Sequence, residues 1–315
     1  MKTDSHITRA QAPAPVSGVS STNGSFQTGE RLHPQFRVAL YAANLLLVLA
    51  IVLAAYSAVW EYSTRRYLKG FSDAVAPASA PPIEKIEAIL NWMARGPARR
   101  ETGVNVAVPD RDPTDTLNYA ALLGVCGSAT NAFVNLADSA GLPARRLLLL
   151  DERHLTKHVV AEVRVDDRWI VVDPVFRLIP RGAQGQLLTR EDLANPAVLA
   201  AATHGVPNYL PEYTFDRTTH FRMARIPLVG AWLGDELERL IPAWDDSILV
   251  SLLAERESLA WLAFSIALAA FLALLRIVMR WYGEQRLGVR SVRIRTQLRQ
   301  ALHSFLDTTG YAPLS

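Results

Sequence analysis

Apolar residues fall into distinct patterns along this chain. Uninterrupted apolar runs extend from Val38 to Trp60 and from Ser258 to Met279. Each holds about 20 residues, which at about 1.5 Å of rise per residue matches a hydrocarbon core roughly 30 Å thick. The first run carries no charge and the second only Arg276, near its end, where a long stem reaches the headgroups. Both predict membrane-spanning helices. The first is longer than the roughly 7 to 15 apolar residues of a signal peptide and no convincing A-x-A site follows it, so it reads as an uncleaved anchor.

Between the spans the periodicity changes repeatedly. After a stiff linker, "VAPASAPP", Ile83, Ile86, Ile89, Leu90 and Met93 recur at helical spacing and a glycine closes the segment. "GVNVAVPDRDPT" reads as loop and "DTLNYAALL" as a short helix. From Gly127 to Ala140 a further helix is expected, with Ala129, Phe133, Leu136 and Ala140 on one face and Gly141 and Pro143 as its stop. "RRLLLL" predicts a strand and "DERHLTK" a loop. In "HVVAEVRVDDRWIVVDP" Val159, Ala161, Val163 and Val165 alternate with His158, Val160, Glu162 and Arg164, the period of a strand. Glu162 and Arg164 are expected on a solvated face and Trp169 packed on the hairpin. Farther on, Leu228, Trp232, Leu237, Leu240 and Ile241 fall near one helical face, either at a membrane interface or against the domain.

Charge sets the expected orientation. The tail beyond the second span holds Arg280, Arg286, Arg290, Arg293, Arg295 and Arg299 against Glu284 and Asp307, and the N-terminal segment is also net basic. The part between is net acidic, so the pI of about 9.1 comes from the tails and nucleic-acid binding is not expected. By the positive-inside rule both termini face the cytoplasm, although Arg65, Arg66 and Lys69 after the first span oppose this. The expected organisation is a disordered cytoplasmic lead over 1–37, rich in Ser, Thr, Gly, Ala and Pro, and a first span over 38–60. An extracytoplasmic domain over 61–257 follows, with its core at about 82–180, then a second span over 258–280 and a basic cytoplasmic tail over 281–315.

Cys126 is the one cysteine of the chain, at the expected start of a helix in "GVCGSATNAF". A lone cysteine is most often a small buried hydrophobe, and its surroundings decide whether this one is. If Asp166 and Asp167 form a two-residue turn, Val165 faces Arg168 and the pairing runs back to Val160 opposite Asp173. His158 and Asp173 are then diagonal neighbours with Cβ atoms at most about 7 to 8 Å apart, within reach of a hydrogen bond. A one-residue slip would separate them. A thiol at a helix N-terminus, an imidazole on a strand and a carboxylate on the next strand supply a nucleophile, a base and an orienter. His154, His158, Cys126 and an aspartate also offer zinc-ligand atoms, but H-x-x-x-H serves zinc best on a helix, and no metal or other cofactor is expected.

The residues "GVCGSATNAFVNLADSAGLPARRL" and "HVVAEVRVDDRWIVVDP" resemble the core of the transglutaminase-like superfamily: a Gly-x-Cys helix start, a Gly-Leu-Pro-Ala-Arg stop, and a His strand followed by a Trp strand ending in Asp-Pro. The resemblance covers roughly residues 115 to 180. It implies an α+β fold, a papain-like core in which the Cys-bearing helix packs on a small antiparallel sheet, here between two transmembrane helices. It also implies Cys126 as nucleophile, His158 as general base and acid, and Asp173 as orienter. Members often carry a tryptophan two residues after the histidine, where this chain has Val160. Trp92 and Asn118 both lie upstream as possible second oxyanion donors, and spacing does not choose between them.

The expected function is a membrane-anchored cysteine enzyme that acts on a peptide or protein amide through a Cys126 thioester. Water as acceptor makes it a protease or amidase and an amine makes it a transglutaminase. The alternative is a non-catalytic binding module within an envelope or export assembly, with membrane-complex partners. The resemblance and the arginine-rich tail together imply a bacterial inner membrane.

Overall fold

The computed structural model describes residues 34–95, 112–118, 122–223 and 230–286. Most of the expected loop over 103–114, most of the N-terminal lead and most of the basic tail lie outside these residues, and the last two residues of that loop, Pro113 and Thr114, begin a helix instead. The chain divides into two compact units, one of 45–273 and one made by the outer parts of its first and last helices. In the latter, Gly283 leaves room for the ring of Phe36, which an added Cβ would meet at 3.0 Å.

Helix α1 spans Pro34–Val75 and contains the first apolar run, and α9 spans Glu257–Arg286 and contains the second. Both are long and apolar enough to cross a membrane, with mean hydropathies of 2.5 and 2.4 over their most apolar windows. Together they fit a two-pass membrane protein. Helix α1 continues well beyond Trp60, because its residues after the apolar run have their own apolar partners: Leu68, Phe71 and Val75 join the domain core. The linker expected after the span is the bend between Val75 and α2, Pro82–Arg95, which buries Ile86, Ile89, Leu90 and Met93 as their spacing requires. Short α3, Pro113–Asn118, and a turn of 3₁₀ helix at Leu122–Gly124 lead into α4, Cys126–Ser139. Gly141 ends α4 at φ +78°, where Leu142 N–H returns to Ala137 O at 2.9 Å and Gly141 N–H to Asp138 O at 3.0 Å. A glycine accepts that left-handed conformation without a Cβ clash. Lys85 of α2 donates to Ala140 O at 3.1 Å and joins the two helices at this end.

Strands β1 (Ala144–Leu150), β2 (Thr156–Val165), β3 (Arg168–Val172) and the two-residue β4 (Thr218–Thr219) form one antiparallel sheet in the order β3-β2-β1-β4. Asp166 and Asp167 make the expected two-residue turn, both with positive φ (46° and 63°), and Val165 pairs with Arg168. The ladder ends at Ala161–Val172, one pair short of the expectation. Asp173 exchanges backbone bonds with Leu178 instead, at 2.8 and 3.0 Å, which turns the chain away from β2.

One face of the sheet, with Ala161, Val163, Val165, Ile170 and Val172, packs on Phe133, Leu136 and Ala137 of α4 and on α2. The other face is covered as well. Short helices α5 (Arg190–Leu193) and α6 (Pro196–Ala202) and the segment through Phe215 place Leu188, Leu193 and Phe215 over Leu147, Leu149, Val160 and Val171. Glu162 is therefore buried rather than solvated. It accepts from Arg145 Nε at 2.7 Å and pairs with His220 Nε2 at 2.7 Å, while Arg145 stacks over Trp169 at 4.1 Å. Arg164 is exposed as expected and reaches Asp167.

After β4 the chain forms α7 (Gly230–Leu240), a 3₁₀ turn at Trp244–Asp246 and α8 (Ile248–Glu255). In and after α7, Trp232, Leu240 and Ile241 are exposed. Arg256, extended between α8 and α9, is buried and bonds Asn135 at 2.9 Å, Asp138 at 3.0 Å and Glu61 of α1 at 3.1 Å. Glu255 pairs with Arg146 at 2.5 Å and takes a hydrogen bond from Asn131.

Candidate active site

Cys126 is the first residue of α4, and Val125, its N-cap, supplies no side-chain cap. The N–H groups at this helix start are therefore open to another acceptor, and the partial positive charge of the terminus favours an anion. The sulfur takes that place, with the backbone N–H groups of Gly127 and Val159 donating to its charged form. Thr130 Oγ1, one turn along α4, donates to Val159 O at 3.0 Å and fixes the helix start against the start of β2. Cys126 is half-buried.

His158, on β2, is 2% exposed, and its Nε2 lies 2.7 Å from Asp173 Oδ2. Asp173 is 1% exposed. Its other oxygen accepts from Val175 N–H at 3.1 Å and Phe176 N–H at 3.2 Å, so the turn after β3 holds the carboxylate in place. With Nε2 committed to Asp173, Nδ1 is the imidazole nitrogen left for Cys126. The three residues singled out in the sequence thus come together from α4, β2 and the end of β3.

The electrostatics of the group favour the charged forms of both Cys126 and His158. Burial by itself pushes the Cys126 thiol up. The hydrogen bond and charge of His158 and the two backbone N–H groups outweigh it and hold the thiol below its ordinary value. Burial likewise disfavours the imidazolium, but Asp173 and Cys126 overcome it and raise His158 to about 9. The charged forms favoured in this way are those of a nucleophile and a proton donor.

The tryptophan that the resemblance leads one to expect two residues after the histidine is replaced here by a small, fully packed side chain. Val160 is fully buried among Leu147, Leu149, Val171 and Phe215. Aromatic cover comes instead from residues distant in sequence: Tyr213 stacks on the imidazole at 4.3 Å, and Phe176 and Tyr209 approach it at 5.7 and 6.4 Å. Strand periodicity says nothing about these rings, because they lie outside the strands: Tyr209 and Tyr213 are close together in one short segment, and Phe176 stands three residues after Asp173. Of the two upstream residues, Asn118 spends its side-chain N–H groups on Thr114 O and Tyr67 Oη at 2.6 and 2.9 Å, and Trp92 packs edge-on against Phe71.

His154 lies in the turn before β2 at φ 57° and is exposed. Among the described residues, the group spaced for metal ligation is a different one, His220, Asp245 and Asp246, whose ligand atoms lie within 4.8 Å of one another. Its carboxylates already have cationic or hydroxyl partners. Arg145 and Arg190 each approach Asp246 Oδ1 at 3.7 Å, and Thr219 Oγ1 donates to Asp245 at 2.8 Å.

Comparison with curated proteins gives no match, and comparison with solved structures gives none. The model of the transglutaminase-like superfamily matches residues 69–174, a span that begins in the domain end of α1 and closes just after Asp173. Residues 69–174 of this chain are a domain of the transglutaminase-like superfamily.

Proposed function

We propose that the protein is a two-pass membrane enzyme that transfers acyl groups from an amide through a thioester on Cys126. The observation that carries this reading is the buried 2.7 Å contact between His158 and Asp173 beside a half-buried thiol at a helix N-terminus. The Cys126 thiolate attacks the amide carbonyl and forms a C–S bond. As the tetrahedral intermediate collapses, the C–N bond breaks and the amine leaves with the proton of the His158 imidazolium. Neutral His158 then takes a proton from water or from a second amine, which attacks the thioester and releases the thiolate. Asp173 orients the imidazole and stabilises its charged form throughout. Gly127 N–H, at the positive end of α4, is suited to the oxyanion. Both termini face the cytoplasm and the domain lies on the other side, in accord with the arginine-rich tail.

The test uses the full-length protein with a glutamine-containing peptide and a fluorescent primary amine. Wild type is expected to incorporate the amine or, without it, to release ammonia, with a peptide adduct on Cys126 detectable by mass spectrometry. Cys126→Ser and His158→Ala are expected to lose both. Turnover that survives in Cys126→Ser would overturn the assignment. No turnover, together with an unreactive thiol and normal cellular function of Cys126→Ser, would favour the binding module instead. Orientation is read separately, by labelling intact cells with a membrane-impermeant maleimide: labelling only after permeabilisation would reverse it.

A further inference from the structure

His158 is buried, and three rings approach its imidazole. Tyr213 lies nearly parallel to the imidazole, at 4.3 Å between centroids and 12° between planes. Tyr209 meets the imidazole edge-on at 81°, and Phe176 is tilted against it. The three rings also brace one another: Tyr209 stands edge-on to Tyr213 at 5.5 Å and contacts Phe176 at 5.1 Å. Two residues beyond Tyr213, Phe215 is buried against Leu147, Leu149 and Val160. One residue before it, Glu212 reaches Lys157 of β2 at 3.8 Å. The segment is thus fastened on both sides of the stacked ring. Burial, followed by the charge of Cys126, raises the Tyr213 phenol.

We propose that Tyr213 is a positioning residue for the reaction at Cys126: its ring, stacked on His158, fixes the imidazole plane with Nε2 on Asp173 and Nδ1 toward the sulfur, and its π face keeps the imidazole protonated. This rests on the acyl-transfer reading of the site. Without the stacked ring, rotation about the histidine side chain would lift Nδ1 off the sulfur, and water would reach the His158–Asp173 bond. An aromatic face over a cation is worth about 0.5 to 2 kcal/mol, which corresponds to about 0.4 to 1.5 pH units. The charged and titratable groups facing the imidazole are Cys126 from α4, Asp173 from the end of β3, and Tyr209 and Tyr213 from the segment before β4. In this chain a ring from a distant turn does what an aromatic on β2 itself would otherwise be placed to do, since Val160 occupies that position.

The experiment is the rate of iodoacetamide alkylation of Cys126 as a function of pH, in the full-length protein in detergent, where a single cysteine makes the signal unambiguous. Wild type is expected to show a midpoint below the ordinary thiol value, and Tyr213→Phe to keep it. Tyr213→Leu is expected to move the midpoint up by about half a unit to one unit, so that the rate near pH 6 falls roughly three- to tenfold. Replacement of Tyr213 by 4-cyanophenylalanine, which keeps the ring but depletes its face of charge, is expected to shift the midpoint in the same direction. It decides the matter if thermal unfolding shows the leucine variant misfolded. A wild-type midpoint in the cyano variant would overturn the role of Tyr213, provided His158→Ala still raises it. A wild-type thiol with an ordinary midpoint, indifferent to His158→Ala, would instead overturn the acyl-transfer reading itself.

Discussion

Arg256 and Glu61 meet at 3.1 Å although 195 positions separate them, and both side chains are almost wholly buried. Arg256 is the residue between α8 and α9, and Glu61 is the residue after the first apolar run. Glu61 keeps Arg65 at 2.6 Å and Ser258 at 2.7 Å when Arg256 is truncated, so the loss falls below the roughly 3–5 kcal/mol of a buried charge left wholly unpaired. Arg256→Met is expected to destabilise the detergent-solubilised protein, read as a lowered thermal midpoint. Glu61→Gln combined with Arg256→Met should cost less than the sum of the single changes. Strict additivity of the two would show that the pair is not coupled.

The His158–Asp173 contact predicts a pH dependence whose sign follows from the raised imidazole. His158 ordinarily titrates near 6.5 and here at about 9, so its stabilising contribution is complete below about 6.5 and is lost as pH rises through about 9. Cys126 runs the other way: its lowered value contributes stability that is present above the ordinary thiol range and lost as pH falls through the folded value. Alkylation of Cys126 should rise at lower pH than that of an ordinary thiol and change again near 9. Asp173→Asn should bring His158 down and Cys126 up. The rate at pH 6.5 should then drop by about tenfold or more, since a charge-assisted bond is worth about 1.5–3 kcal/mol.

Glu162 gives a second pH prediction, on stability alone. Burial pushes its carboxyl up, but the hydrogen bond from His220 and the charges of Arg145 and His220 prevail and hold it below the usual range. Its contribution is present above about pH 4.5 and lost as pH falls through the lower folded value. Glu162→Gln should flatten the acid limb of the unfolding curve. It should also destabilise the domain by about 3–5 kcal/mol at pH 7, because Arg145 is left buried beside a neutral amide. An unchanged acid limb would remove Glu162 from the explanation.

The β2–β3 turn offers a gain instead of a loss. Asp167 sits at φ 63° and is highly exposed, with one ion pair to Arg164. Asp167→Gly relieves left-handed strain of about 1–2 kcal/mol, reduced by about 0.5–1 kcal/mol of added chain entropy. The expected net gain is therefore about 1 kcal/mol or less, visible as a rise in thermal midpoint at unchanged alkylation kinetics. A lowered midpoint would mean that the Arg164–Asp167 pair outweighs the strain.

What could be read in the sequence was local. The turn at Asp166–Asp167 fixes the register from Val165–Arg168, and the register brings His158 within reach of Asp173. Cys126 heads α4 because the helical period begins there and Gly141 ends it. What escaped depends on segments that return from far along the chain. Glu162 alternates like a solvent-facing residue, and only the return of 188–215 over that face, with His220 58 positions away, makes it buried. The rings around His158 and the Arg256 contacts are likewise made by partners that no window of local pattern joins.

Helix α4 also acts as a spacer of set length. Its far end, from Asn131 to Asp138, is tied to Glu255 and Arg256 where α9 departs, and Arg256 reaches across to α1. Nine residues of helix separate Asn135 from the thiol, about 14 Å at about 1.5 Å per residue. No slack tether lies between this junction and the sulfur, in contrast to a domain that swings on a flexible linker. The reach of Cys126 from the point where the first apolar run ends and α9 begins is a fixed dimension of the molecule, and under the proposed acyl transfer a substrate amide must come to that distance to be met.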